Sequence, residues 1–361
     1  ETISGYGKLT GPAQNGVHSV EVTNGANKST IQAKNVLLAT GSEARMLPGI
    51  EPGPQVLTNI GILSLPAIPK SLVIVGSGAV GSEFASIYNS FGTDCTIIEM
   101  LPRIVPLEDE DISKELDRSF RKRGIKTFVN ASVKKVEKTK DGVSVTFEAD
   151  GKSQVVSAEK VLIAIGRKPR TENIGLEKTK IKPDRGFIKV NEWLQTEEPG
   201  VYAVGDIVAG YPQLAHAGSM EGMVAIAHIA GKPAKKMTAM RVPAATYTHP
   251  EIGSVGLTEV KAKEKGLKIK VGKFPFSANS RASIVGSHEG FINIVSDAQY
   301  GEILGVHIIG PQATELIAES VAAIELEATV EDLMYTIHAH PTLAEGMLDA
   351  VESVEGLAIN F

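Results

Sequence analysis

Near the end of the chain, His338-Ala-His340-Pro-Thr-Leu-Ala-Glu345 sets a histidine before a proline, with a carboxylate five positions on. Those side chains can act as a base and its orienter. An imidazole exchanges protons near neutral pH, and a carboxylate bonded to one ring nitrogen fixes the tautomer and raises the basicity of the other. On spacing alone the same residues also suit a surface loop with two histidines ahead of a helix.

A second set of residues can hold phosphate. Val75-Gly76-Ser-Gly78-Ala-Val-Gly81-Ser-Glu83 fits G-x-G-x-x-G. An apolar strand precedes it, an amphipathic helix follows, and the next strand ends in the acid Glu99, 23 positions after Gly76. Gly76 permits the tight turn, Gly78 lets the backbone approach a pyrophosphate, and Gly81 lets the helix pack on the sheet. Glu99 is placed to bond both ribose hydroxyls and to repel a 2′-phosphate, which favours NAD over NADP. Arg103 points the other way, since a nearby arginine can serve a 2′-phosphate. The plain alternative is a glycine-rich turn with a solvated glutamate.

Two further strands end in glycine, at Ala39-Thr40-Gly41-Ser42 and Ala164-Ile165-Gly166-Arg167. A third, Gly200-Val-Tyr-Ala-Val-Gly205-Asp206, delivers a carboxylate at its carboxyl end, where open α/β sheets bind ligands. Asp206 is a candidate for a ribose or polyol hydroxyl; capping the next helix is an equal alternative.

The elements that must position these groups are legible as a pattern. Residues 1–45 read as short strands with Asn-Gly turns. Prolines 48, 52, 54, 66 and 69 mark a linker. From Lys70 the order is strand 71–75, a helix with Val80, Phe84, Ile87 and Phe91 on its apolar face, strand 94–98, helix 109–123 and strand 125–129. A β-meander around Asp141-Gly142 and strand 160–165 follow. Residues 167–240 are irregular, with a strand at 200–204 and a helix near 217–230. Strands 268–274, 290–296 and 303–309, then helices 313–326 and 330–336, make the last third α+β. The fold class is α/β with Rossmann-like dinucleotide-binding domains plus a C-terminal α+β domain.

Composition limits the alternatives. The 361 residues suit two to three domains, with 42% hydrophobic and 22% charged residues and net charge −5. The pI is about 6.0 and the mean hydropathy +0.02. No basic cluster invites nucleic acid, and no apolar run reaches membrane-spanning length. No metal site is expected. The single cysteine, Cys95, falls in an apolar strand and reads as a small core residue. One cysteine forms no internal disulfide, which fits a reducing compartment: the cytoplasm, or alternatively a mitochondrial matrix or plastid stroma.

Taken together, these residues resemble the flavoprotein disulfide reductases, the class I pyridine nucleotide-disulfide oxidoreductases, and within them the branch that oxidises dihydrolipoyl groups. The resemblance runs from Gly5-Tyr-Gly-Lys8 to Ile359-Asn-Phe361. It includes Tyr247-Thr-His-Pro-Glu-Ile252, Gly272-Lys-Phe-Pro-Phe-Ser-Ala-Asn-Ser-Arg281 and Gly305-Val-His-Ile-Ile-Gly-Pro311. It implies that His340 is a general base for a dihydrolipoyl thiol and that Glu345 orients it. It implies an NAD site at Gly76, Gly78, Gly81, Glu83 and Glu99, lined also by Val133 and Gly166. Flavin contacts are implied at Gly7, Thr40, Gly41, Ser42, Asp206 and the Gln213-Leu214-Ala215-His216 turn, with Asp206 on the ribityl chain. A cis bond is implied before Pro341, whereas His338 is expected merely to pack. The implied cofactors are FAD and NAD. The implied partners are a second copy of the chain, whose disulfide the His-Pro loop serves, and lipoyl domains of 2-oxoacid dehydrogenase complexes.

On this resemblance, 1–45 and 167–240 are the remainder of an FAD-binding domain, 46–166 the NAD-binding domain and 241–361 a dimerisation domain. Residues 67–166 are expected to bind NAD as a self-contained domain. The family begins with another G-x-G-x-x-G and a redox-active C-x-x-x-x-C, and neither stands in these residues. The chain is therefore read as lacking its N-terminal flavin and disulfide segment, and as inactive in lipoamide turnover on its own. The alternatives are an NAD-binding and dimerisation fragment, or another flavoprotein disulfide reductase.

Overall fold

The computed structural model describes residues 1–360; the dimerisation-domain expectation reaches one residue further, to Phe361, which lies outside the described residues. The chain divides into two compact units, residues 1–43 with 167–239, and 44–166 with 240–361.

The second unit is built on a parallel sheet. Strand Ser71–Val75 lies between Asp94–Ile98, which carries Lys126–Phe128 on its far side, and Lys160–Ile163, which carries Val56–Leu57. Helices cover one face and a meander the other, so the strands read as unbroken apolar runs. On the helical face Leu72 and Ile74 pack with Ile112, Leu116 and Phe120 of helix Glu110–Lys122. On the opposite face Val73, Val75 and Val161 meet Val145 and Phe147 of the meander Ser132–Lys138, Val143–Ala149, Lys152–Ala158.

The helix Ala79–Ser90 corrects the sequence reading. Its fully buried residues are Gly81, Ser82, Ala85, Ser86 and Tyr88; of the expected apolar face Phe84 packs partly buried on the core, Val80 is half-buried, and Ile87 and Phe91 are exposed. Phe91 is 60% and Ile87 41% exposed. The cause is proximity: a Cβ on Gly81 would collide with the Gly76 carbonyl, so only small side chains fit where the helix leaves the turn. The proline-marked linker also contains a short helix, Asn59–Leu63, capped by the Thr58 hydroxyl.

Within the same unit, an antiparallel sheet has the order Ala244–Thr246, Glu251–Gly256, Ile303–Gly310, Phe291–Asp297, Ile269–Pro275. The first two strands were not anticipated, nor was the helix Glu345–Val354. Side-chain alternation sends Ile292, Ile294, Val306 and Ile308 into a core with helix Ala313–Glu325 and with Met347, Ala350 and Val351. The opposite face sends Ile252, Phe291 and Ile309 into the core that holds Leu72, Ile74 and Ile97. The nucleotide-type fold is thus not self-contained over 67–166: it shares one apolar core with the C-terminal sheet.

In the first unit, strands Tyr6–Leu9, His18–Asn24 and Asn27–Ala33 form an antiparallel sheet. Strand Val36–Leu38 pairs in parallel with Val201–Ala203. Leu9, Leu38, Ile188, Leu194, Val201 and Ile207 make the core, beside helix Ala215–Ile229.

Candidate functional site

The glycine turn is formed as the spacing requires. Gly76 has φ +97°, in the region that favours glycine, and a Cβ there would come within 2.5 Å of the Ala164 carbonyl oxygen. A Cβ on Gly78 would meet nothing within 4 Å, so open space adjoins the turn. The following helix has no side-chain cap and no acid in its first turn. Its leading N–H groups and its dipole therefore face that space, which fits a dinucleotide pyrophosphate.

Glu99 is buried and bonded to the protein. Its Oε2 accepts from the Ser77 N–H at 2.7 Å and the Ser77 hydroxyl at 2.8 Å; its Oε1 accepts from the Leu101 N–H at 2.8 Å. A carboxylate has about four acceptor positions, so three are taken. One ribose hydroxyl can be accepted directly, and a second once the Ser77 hydroxyl turns away; the expected simultaneous pair is not free in this arrangement. Ser77 was missed because the position between the two glycines carries no spacing signal. Arg103 bonds Glu110, the first residue of the following helix, at 3.2 Å and the Pro106 carbonyl at 3.3 Å.

Glu83 is half-buried, and its Oε1 accepts from the Tyr247 N–H at 2.9 Å. Burial pushes its carboxyl upward, opposed by that backbone bond. Val133, half-buried in the meander, pairs with Phe147, and Gly166 follows the Lys160–Ile163 strand with φ +109°.

In the other unit, Ser42 donates to Asp206 Oδ2, and Arg167 donates to the Ser42 hydroxyl and, at 2.9 Å, to its carbonyl. Arg167 Nε lies 3.5 Å from Asp206 Oδ2. One carboxylate oxygen of Asp206 is thereby engaged, leaving the other for a hydroxyl. Gln213 donates to the Asp206 carbonyl at 3.0 Å, Leu214 precedes the helix that Ala215 begins, and His216 is exposed in its first turn. The Gly205 N–H donates to Glu221, whose other carboxyl oxygen is buried without a partner. Burial pushes the Glu221 carboxyl upward. Gly7 and Thr40 line a cavity of about 420 Å³ with Tyr6, Arg170 and Ile174; Gly41 beside them has φ +70°. Gly7 and Thr40 thus share one cavity, whereas Ser42 and Asp206 are joined to each other and are not part of its lining. Neither Arg167 nor Glu221 is marked by spacing, because their partners Ser42 and Gly205 lie 125 and 16 residues away.

His340 is 75% exposed at its side chain, and its Nδ1 lies 2.8 Å from Glu345 Oε2. The carboxylate only accepts, so Nδ1 carries the hydrogen and Nε2 is left as a proton acceptor. The peptide bond to Pro341 is cis, as is His249–Pro250. Glu345 opens the last helix. Its N–H is accepted by the Thr342 hydroxyl at 3.2 Å, and its Oε1 accepts from the Thr342 N–H at 3.4 Å, a reciprocal pair just ahead of the helix. Asn279 donates to the Thr342 carbonyl at 3.1 Å, and Ser280 to Glu345 Oε1 at 3.4 Å. His338 does more than pack: its Nε2 lies 2.8 Å from Glu319 Oε1.

Cys95 is fully buried in the parallel sheet, and burial pushes its thiol up to about 12. It has the character of a core side chain, not of a redox thiolate.

Known proteins resemble the chain over most of its length. A family model described as pyridine nucleotide-disulphide oxidoreductase matches residues 3–222, and its dimerisation-domain counterpart matches 242–351. Dihydrolipoyl dehydrogenase of Bacillus subtilis is 43% identical over 100% of this chain and 77% of its own length. That of Thermus scotoductus is 43% identical over 100% and 76%. Among solved structures, LpdA from Mycobacterium tuberculosis has TM-score 0.89 at 31% identity, covering 97% of this chain and 76% of that one.

Proposed function

The chain belongs to the pyridine nucleotide-disulphide oxidoreductases, and from that premise we propose that it serves as a dihydrolipoyl dehydrogenase whose proton acceptor is His340. The observation that carries the reading is the His340–Glu345 bond, in which the carboxylate engages Nδ1 of an exposed ring and leaves Nε2 outside that bond. Glu345 holds the ring through Nδ1–H and stabilises the imidazolium formed when Nε2 takes a thiol proton. The thiolate left behind is the electron donor. Members of this family use FAD and NAD, which supply the two-electron oxidation when bound. The turn at Gly76–Gly81 would hold the NAD pyrophosphate and Glu99 its ribose; Val133 and Gly166 lie on the same fold. Asp206, Ser42, Thr40, Gly41, Gly7 and the 213–216 turn would hold flavin.

The match over 242–351 makes the protein a homodimer through its dimerisation domain. In our reading, His340 serves the thiols of the other subunit, and the physiological substrate is a lipoyl domain of a 2-oxoacid dehydrogenase complex. The assay is NADH formation from dihydrolipoamide in the presence of FAD and NAD, against glutathione and NADP controls. Preference for dihydrolipoamide and NAD supports the reading; equal turnover with the controls overturns it.

One observation favours a second reading for these 361 residues by themselves. A dithiol relay needs two cysteines, and Cys95 is buried and single. On their own they bind NAD and dimerise without thiol oxidation. NADH binding without dihydrolipoamide turnover or flavin absorbance identifies this case.

A further inference from the structure

Two residues before the base, a second histidine bonds a second glutamate. His338 Nε2 lies 2.8 Å from Glu319 Oε1, and His338 Nδ1 lies 3.1 Å from the Thr336 carbonyl oxygen. The His338 side chain is 7% exposed, against 75% for His340. Glu319 belongs to helix Ala313–Glu325, which is seated in the core through Ala313, Ile317 and Ile324. Glu345 belongs to a different helix, Glu345–Val354. Residues 336–344 between them lie outside helix and strand. The loop that carries the base is therefore fastened at two places, by two histidine–glutamate bonds to two helices.

The two rings differ in cover: His338 is 7% exposed with Glu319 at 31%, whereas His340 is 75% exposed with Glu345 at 17%. The two nitrogens of His338 each face an oxygen, one of Glu319 and one of Thr336. The His340–Glu345 contact is exposed, and an exposed ion-pair contact holds geometry weakly by itself. Beyond Pro341 the loop is held by the Asn279 amide on the Thr342 carbonyl and by Thr342 on Glu345; before His340, the side-chain bond to another element is that of His338 to Glu319.

We propose that Glu319 and His338 are positioning residues: they anchor the loop so that His340 keeps its hydrogen on Nδ1 and presents Nε2 to the thiol. This deepens the reading of His340 as base and rests on it. Neither residue touches substrate.

The test is nitrogen NMR of the imidazoles in the full chain, with kinetics of the holoenzyme beside it. In Glu319→Ala the His340 population carrying hydrogen on Nδ1, relative to Nε2, falls roughly 3–10-fold, the weight of one hydrogen bond. The kcat for dihydrolipoamide falls in step, while NADH turnover with an artificial acceptor holds. Glu319→Gln keeps an oxygen acceptor and restores most of both signals. An unchanged His340 ratio in folded Glu319→Ala, or a Gln variant no better than Ala, overturns the proposal. If Glu319→Ala does not fold, His338→Gln is read by the same signals, and an unchanged ratio again overturns it. Failure of the base reading shows differently: His340→Gln then keeps its thiol oxidation, whatever the ratio does.

Discussion

Ser77 and Glu99, 22 residues apart in sequence, are joined twice, by the backbone N–H and by the hydroxyl of the serine to the same carboxylate oxygen. The acid that ends the second strand is thus also a brace for the glycine turn. Glu99→Ala removes the brace and, in the proposed reading, the ribose acceptor with it. It destabilises the fold by about 1–3 kcal/mol through the stranded Ser77 and Leu101 donors. It also lowers the NADH-over-NADPH preference roughly 10–100-fold, the range of a hydrogen bond to a charged group. Thermal denaturation and calorimetric binding of both nucleotides check this; an unchanged preference removes Glu99 from the ribose. Ser77→Ala, which frees a carboxylate position, binds NADH no more weakly than the native chain.

The two glycines of the turn should separate folding from binding. Space beside Gly78 is open, so Gly78→Ala folds normally and obstructs the nucleotide. Gly81→Ala forces a methyl onto the Gly76 carbonyl and costs about 1–3 kcal/mol of stability, the usual overpacking range. Melting curves with and without NADH distinguish them. A Gly78→Ala protein that binds NADH at full affinity places the nucleotide elsewhere.

Removal of the base should affect the thiol half-reaction alone. His340→Gln slows dihydrolipoamide oxidation by a factor on the order of 10²–10⁴. NADH oxidation by an artificial acceptor survives, since no thiol takes part. Equal loss of both activities would count against the role given to His340.

Cys95 should be silent towards thiol reagents in the native protein and react once unfolded. Burial pushes its thiol up to about 12 from an ordinary value of 9.0, with Asp94 adding and Arg123 opposing. A raised acid keeps its proton in the folded state after the unfolded chain has lost it. Its contribution to stability is therefore complete below about pH 9 and is lost as the pH rises towards 12. Denaturation midpoints between pH 8 and 11, compared with Cys95→Ala, should show the native chain losing stability more steeply.

Much of the α/β pattern was legible because parallel strands covered on both faces read as plain apolar runs; Ser71–Val75 and Asp94–Ile98 stand where the sequence puts them. The helix face at Ala79–Ser90 was misread because apolar periodicity reports greasiness, not closeness. Where a helix abuts a glycine turn, Ser82 and Ser86 are buried because they are small, and Phe91 is left outside. The site was legible where chemistry goes with spacing, as in His340 with Glu345. It was hidden where partners come from distant segments. Glu319 reaches His338 from 19 residues away, and Arg167 reaches Ser42 across 125, with no local pattern to mark either.

Ile252, Phe291 and Ile309 of the C-terminal sheet lie in one core with Leu72, Ile74 and Ile97 of the nucleotide fold. The consequence is thermodynamic coupling across a boundary that the chain's motifs present as a seam. Heat or denaturant that loosens one half takes the other with it. A nucleotide bound at the glycine turn should therefore raise the melting temperature of the C-terminal strands that share this core.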